Sequence, residues 1–226
     1  MTVETQNNNE LDQMRLIVDA VIGATDSAHA GRSSSRTEIL IHSIGVFSRQ
    51  GLESTTVQHL LDEARVSRRT FYKYFKNKYD VLESLYKIFI ENMVLLFRTE
   101  AERAITVRDI ISGTFKTYFD YHLSLGTMIR LMAEEARRTE SVLSPHRDVA
   151  FSSTAHILQA EMQRVSGKKH DILVFNTLIW TLESYSLNLL NHTDCSVETV
   201  DHYKHVMVGI AEAILIEGAS SALLSA

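Results

Sequence analysis

The segment VSRRTFYKYF (66–75) combines residue types that bind nucleic acids. Its ten positions hold three basic side chains and four aromatic rings, and none is acidic. Arginine can donate two parallel hydrogen bonds to guanine, lysine neutralises phosphate charge, and hydroxyl groups reach bases or phosphates. This composition therefore indicates a surface that recognises DNA.

Helical spacing sorts the same segment into two faces. At the α-helical rotation of about 100° per residue, one face carries the aromatic rings of Phe71, Tyr74 and Phe75. The opposite face carries Arg69, Tyr72 and Lys73. The aromatic face can pack on a preceding helix, which leaves a cationic ridge suited to the major groove of B-DNA. From charge alone, a merely solvated basic helix is the alternative.

Charge is distributed unevenly along the chain. The 226 residues carry a net charge of −5, but residues 32–80 hold nine Lys and Arg against five Asp and Glu. That segment therefore carries +4, and the remainder carries −9. Attraction to a polyanion is expected from this one segment only.

The helix before the basic segment is predicted from its apolar stripe. Leu40, Ile44 and Phe47 recur at helical spacing over 37–50, and Gly51 stands where a left-handed C-terminal cap is favoured.

Capping signals predict two short helices joined by a tight turn. Thr55 and Gln58 have the spacing of a capping box, which predicts a helix over about 56–65. Ser67 is suited to cap the next helix, over 67–75. Two short helices that meet across such a turn are typical of a helix-turn-helix.

The rest of the chain is also predicted to be helical. Among the 226 residues there are one proline and nine glycines, and no run alternates as a strand does, so an all-α fold is expected. Residues 1–10 are expected to be disordered. Further helices are predicted over 11–28, 77–103, 106 onward with a break or kink at Gly126, 144–165, 169–191 and 196–217.

A set of motifs between Thr37 and Leu85 matches a known family. A helix ending VFSRQG is followed by STTVQHLLDEARVSRRTFYKYFKNKYDVLESL. This pattern resembles the tetracycline-repressor (TetR) family of bacterial transcription factors, at Phe47, Gly51, Thr55, Thr56, Val57, Val66, Ser67, Thr70, Phe71, Tyr72, Tyr74, Phe75 and Lys78. In two departures, Leu61-Asp62 stands where alanine is frequent, and Arg65 replaces a common glycine in the turn.

The resemblance implies a DNA-binding role for nine residues. The side chains expected to face DNA are Arg68, Arg69, Thr70, Tyr72, Lys73 and Tyr74. Those expected to contact phosphates are Thr55, Thr56 and Lys78. Phe71 and Phe75 are expected to lie in the core instead.

The resemblance also implies three parts of the chain. These are an N-terminal extension (1–34), a helix-turn-helix DNA-binding domain (35–80), and a helical ligand-binding and dimerisation domain (81–226). The last two long helices are apolar on more than one face, which favours a homodimer; internal helices of a monomer are the alternative. A twofold dimer predicts an approximately palindromic operator.

Candidate ligand contacts are residues with polar or aromatic side chains on otherwise apolar helices. They are Phe89, Phe115, Tyr118, His122, His156 and Trp180, together with Met93; ordinary core positions are the alternative for most of them. His202 and His205, beside Asp201, lack further evident ligands, so no metal site is predicted. Cys195 is expected to be an ordinary reduced thiol, and neither catalytic residues nor a cofactor are expected.

These features together predict a homodimeric, DNA-binding transcriptional regulator. The family's habit implies a repressor that a small-molecule effector releases from its operator, with double-stranded DNA and the effector as partners. A helical carrier or sensor that does not bind DNA is the alternative. The first residues lack the pattern of a secretory signal, so a cytoplasmic location without membrane contact is expected.

Overall fold

The computed structural model describes residues 3–25, 35–191 and 196–217. Within these ranges the chain forms nine α-helices, which confirms the predicted all-α class, and a π-helical turn over Ala213–Glu217. The helices are α1 (Val3–Thr25), α2 (Ser35–Ser54), α3 (Val57–Ala64), α4 (Arg68–Tyr74), α5 (Lys78–Arg103), α6 (Val107–Ala136), α7 (Ser144–Ser166), α8 (Ile172–Asn191) and α9 (Val197–Glu212). Of the helices in these ranges, none has the length and apolar content to cross a membrane.

The described residues form two compact units. The first contains the residues up to Asn92 together with Ser124–His146, and the second contains Met93–Leu123 and the residues from Arg147 onward. Helices α5 and α6 each contribute to both units. This division differs from the predicted boundary after residue 80, which stays a prediction.

The core of the first unit is built around α2. Leu40, Ile44 and Phe47 are fully buried, which confirms the predicted stripe. Helices α3 and α4 pack on α2, and Phe71 of α4 is fully buried. Helix α4 is therefore supported by apolar contacts, and each large buried side chain contributes about 1.5–3 kcal/mol to stability.

Helix α1 begins earlier than predicted. It begins at Val3, so the disorder predicted over residues 1–10 is wrong for residues 3–10, which the structure describes. The helix ends at Thr25, and the predicted residues after it lie outside the described ranges. Met14 and Val18 are buried, and a Cβ added at Gly45 of α2 would lie 3.9 Å from the Leu11 side chain. The apolar stripe of α1 thus docks on α2.

Glycines interrupt two helices where the sequence predicts it. Gly51 has a φ of 73° near the end of α2, and Gly126 has a φ of 45° and a ψ of −121° inside α6. Positive φ is accessible to glycine without a Cβ clash. The predicted break or kink at Gly126 is therefore confirmed as a kink within α6.

Helix α8 begins three residues later than predicted. The carboxylate of Asp171 accepts a hydrogen bond from the Leu173 backbone N–H at 2.9 Å, which satisfies a free donor of the first turn. The helix consequently starts at Ile172 and not at Lys169.

Candidate functional site

Helices α3 and α4 form a helix-turn-helix. Ser67 caps α4 by accepting a hydrogen bond from the Thr70 backbone N–H at 3.1 Å, as predicted. The rings of Phe71 and Phe75 lie 5.8 Å apart and are buried, so the predicted core face of α4 is confirmed.

The cap of α3 lies one residue later than predicted. Thr56, and not Thr55, is the N-cap: its hydroxyl accepts from the His59 N–H at 3.3 Å, and the His59 ring accepts from the Thr56 N–H at 3.3 Å. Gln58 instead accepts a hydrogen bond from Arg68 at 2.9 Å. Histidine at the third helical position was missed because the common capping box uses Glu or Gln there.

Arg65 adopts a left-handed conformation in the turn. Its φ of 51° and ψ of 41° make it the sole non-glycine residue with positive φ in the described ranges. This is the position where the family frequently has glycine. Because a Cβ is strained in this region, Arg65 stores backbone energy of about 1–2 kcal/mol.

An Arg65→Gly variant is expected to be more stable than the wild type. Relief of the left-handed strain exceeds the entropy that glycine adds to the unfolded chain, for a gain of about 0.5–1 kcal/mol in the free energy of unfolding. Urea denaturation measures it. Arg65→Ala is the matched control, because it removes the side chain but keeps the Cβ and should show no gain.

The outer face of α4 is open to solvent. Arg68, Arg69 and Lys73 are exposed, and Tyr72 is 51% exposed. Thr70 and Tyr74 are half-buried, and the Lys73 ammonium lies 5.0 Å from the centre of the Tyr74 ring. The two predicted faces of the helix are thus present, and base or phosphate contacts by these residues stay predictions.

Thr55 does not have the accessibility that its predicted phosphate contact requires. The residue is 1% exposed, and its hydroxyl donates to the Gly51 carbonyl at 2.6 Å. Thr56 is exposed and remains a candidate. The hydroxyl of Thr55 therefore stabilises the corner after Gly51 instead of facing a ligand.

Lys78 binds the end of α2. Its ammonium donates to the backbone carbonyls of Leu52 at 2.7 Å, Glu53 at 3.1 Å and Thr55 at 2.8 Å. The three donors of a lysine are thereby used, and the C-terminal end of a helix attracts a cation. The structure thus gives Lys78 a positioning role in place of the predicted phosphate contact.

A Lys78→Met variant is expected to lose stability. The carbonyls of Leu52 and Glu53 at the end of α2, and of Thr55 just after it, lose their charged donor, which should lower the free energy of unfolding by about 2 kcal/mol. Chemical denaturation would measure the loss. Lys76→Met is the control, because Lys76 is exposed two residues away; equal losses in both variants would contradict the positioning role.

The second unit contains an apolar cavity among its helices. The cavity is nearly filled by its own side chains, with about 10 Å³ of free room. Its wall includes Phe97, Ile111, Phe115, Met162, Leu182 and Leu215. Ligand sites normally occupy about 300–1,000 Å³, so a ligand would enter only if these side chains move apart.

The predicted ligand contacts are scattered. Phe115 lines the cavity, while Tyr118 and His122 are buried next along α6. Met93 is buried in the second unit, and Phe89 is buried in the first. The two remaining candidates, His156 and Trp180, are exposed, so their predicted place in a cavity wall is wrong. Both lie on helices whose apolar stripe turns them outward.

Five side chains form a polar layer inside the second unit: Tyr118, His122, Arg147, Glu183 and Ser186. The Tyr118 hydroxyl lies 3.2 Å from the Ser186 hydroxyl, which donates to the Glu183 backbone carbonyl at 3.0 Å. Arg147 donates to both Glu183 carboxylate oxygens, at 2.7 and 2.5 Å. Burial lowers the pKa of His122 to about 4, opposed by its hydrogen bond to the Tyr118 carbonyl.

Sequence reasoning missed Arg147, Glu183 and Ser186. The available signal was an acid in an otherwise apolar helix, since Glu183 follows the uncharged run 172–182. Such an acid is rarely buried without a partner. Its arginine lies 36 residues earlier, a pairing that spacing does not indicate.

One stripe of α8 faces solvent and contains two apolar side chains, Leu173 and Trp180. Its members are Leu173, Thr177, Trp180, Ser184 and Asn188. Trp180 is 56% exposed. On α9 the exposed positions include His205, Gly209 and Ile210, together with His202. No cluster of three potential metal ligands occurs among the described residues, and Cys195 lies outside them.

The sequence matches known regulators in part. Residues 39–85 match the family model described as bacterial regulatory proteins, tetR family. The HTH-type transcriptional repressor KstR2 of Mycolicibacterium smegmatis is 24% identical over 106 residues, or 47% of this chain and 52% of KstR2. The match therefore spans about half the length of that relative.

Solved structures share the fold over most of the chain. The fatty acid degradation regulator FadR from Bacillus halodurans superposes with a TM-score of 0.64 and 20% identity, over 79% of this chain and 97% of that one. FadR from Bacillus subtilis, solved in complex with stearoyl-CoA, superposes with a TM-score of 0.57 and 18% identity, over 79% of this chain and 94% of that one. The match to the tetR family of bacterial regulatory proteins thus covers residues 39–85, and the solved structures share the fold of the chain.

Proposed function

We propose that this protein is a transcriptional repressor that binds double-stranded DNA through α4. The observation that carries the proposal is the exposed face of α4, where Arg69, Tyr72 and Lys73 stand over a buried aromatic core. A short supported helix with such a face fits the major groove. The repressor named among its relatives supports repression as the sign of regulation.

The regulator acts as a homodimer in this proposal. The α8 stripe and the exposed residues of α9 are the surfaces that would meet across a twofold axis. An exposed tryptophan is an uncommon surface residue and is enriched at the centre of protein interfaces. Two copies of α4 would then read half-sites about 34 Å apart, or a multiple of it, in an approximately palindromic operator.

The apolar cavity of the second unit is the proposed effector site. Its wall is almost entirely aliphatic and aromatic, which suits a molecule with an extended apolar part. The stearoyl-CoA held by FadR of Bacillus subtilis supports this class of effector. Because the cavity is nearly filled, an effector must separate the helices that line it. The effector therefore binds the opened state more tightly than the closed one, and this difference in affinity couples its binding to DNA release.

A binding titration at several salt concentrations tests the DNA-binding role. The full chain is titrated against a labelled random-sequence duplex, and counterion release predicts that log affinity falls linearly with log salt. Selection from a random duplex library should then enrich a palindrome. A response independent of salt would favour a carrier or sensor that does not bind DNA.

A further inference from the structure

The polar layer lies directly beyond the apolar cavity along the same helices. On α6, Tyr118 follows the cavity residue Phe115 by one turn, and on α8, Ser186 follows Leu182 by one turn. The Tyr118 ring also packs edge-on against Phe97 of the cavity wall, with ring centres 6.0 Å apart. A molecule that fills the cavity would therefore meet this layer at one end.

The hydrogen bond that His122 makes determines which of its two ring nitrogens can accept a hydrogen bond from a ligand. Its Nδ1 lies 3.0 Å from the Tyr118 backbone carbonyl, and because a carbonyl can only accept, Nδ1 carries the hydrogen. The ring is neutral at pH 7, since burial lowers the pKa of His122. Nε2 is then an acceptor, held in place by stacking of the ring on Tyr118 at 3.9 Å.

The charged members of the layer compensate each other. The Arg147 guanidinium is bound through two hydrogen bonds by the buried carboxylate of Glu183 and also covers the Phe151 ring at 4.3 Å. A carboxylate head group would have to displace Glu183 or lie beside it. Burial of an ion without its own partner is strongly unfavourable.

We propose that the effector is a neutral amphiphile, with an apolar chain in the cavity and a hydroxyl group that donates a hydrogen bond to His122 Nε2. This inference rests on the proposed effector role of the cavity. Two helical turns separate Phe115 from His122, which is about 10 Å along the axis of α6. A chain of roughly ten carbons therefore reaches from the cavity to the head-group position.

Calorimetric titration of the full-length, delipidated protein tests the head group without any substitution. Decan-1-ol is expected to bind at least about tenfold more tightly than decanoate. The alcohol gains one hydrogen bond to His122, and it does not bury a charge. The proposal is overturned if decan-1-ol does not bind or binds no more tightly than decanoate. Tighter binding of decanoyl-CoA than of decan-1-ol would overturn it too. DNA titration of the same sample judges the regulator role separately.

Two histidine variants then locate the contact. His122→Phe keeps a ring to stack on Tyr118 but removes the acceptor, so the preference for decan-1-ol over decanoate should fall about tenfold. His156→Phe is the matched control, because His156 makes the same bond to a carbonyl four residues earlier, at 2.7 Å, but is exposed. Loss of the preference in both variants, or in neither, would overturn the assignment to His122.

Discussion

An Arg69→Glu variant is expected to bind operator DNA at least about 100-fold more weakly than the wild type at about 0.1 M salt. Loss of a bidentate contact to a base costs about 1–3 kcal/mol, and the new carboxylate also repels the DNA phosphates. Arg69 is exposed on α4, opposite the buried Phe71. The substitution should therefore leave the thermal midpoint unchanged. Fluorescence anisotropy with a labelled operator measures the affinity.

The control for this prediction separates local contact from net charge. Arg98→Glu changes the total charge equally, and Arg98 is exposed on α5 in the second unit. Long-range repulsion is screened beyond about 10 Å at this ionic strength, so Arg98→Glu should weaken DNA binding only a few-fold. If the two variants lose affinity alike, α4 is not the surface that contacts DNA.

Local signals predicted the fold well because helices depend mainly on neighbouring residues. Apolar spacing, Ser67 and Gly51 placed α2 and α4 correctly, since caps and stripes act within a few residues. Errors arose where a tertiary contact overrides local preference. The polar residues at the start of α1 gave no helical signal. The later part of α1 docks on α2, and the helix continues from there back to Val3.

The candidate site was harder to predict because it depends on which side of each element faces the core. Thr55 and Lys78 matched the family pattern, but their donors point to the end of α2. Trp180 stands in an apolar run and was expected to line a cavity, whereas its position on the helix turns it outward. Periodicity shows which residues share a face but not what that face meets.

The outward position of Trp180 leads to the second large expected effect, a Trp180→Arg variant that no longer dimerises. In a twofold interface the substituted residue occurs twice, so a hot-spot loss of about 2 kcal/mol per copy raises the dimer dissociation constant about 1,000-fold. Light scattering coupled to size-exclusion chromatography should then show a monomer where the wild type is a dimer. Affinity for a palindromic operator should fall with it, because two half-sites are no longer bound by one particle.

Leu95→Arg provides the matched comparison for this dimer prediction. Leu95 is 57% exposed on α5, close to the exposure of Trp180, but it lies outside the α8 stripe. Since each arginine replaces an exposed apolar side chain, both variants should keep the helical content and thermal midpoint of the folded chain. A dimer that survives Trp180→Arg but dissociates in Leu95→Arg would move the interface from α8 to α5, whereas dissociation in Trp180→Arg alone would assign it to the α8 stripe.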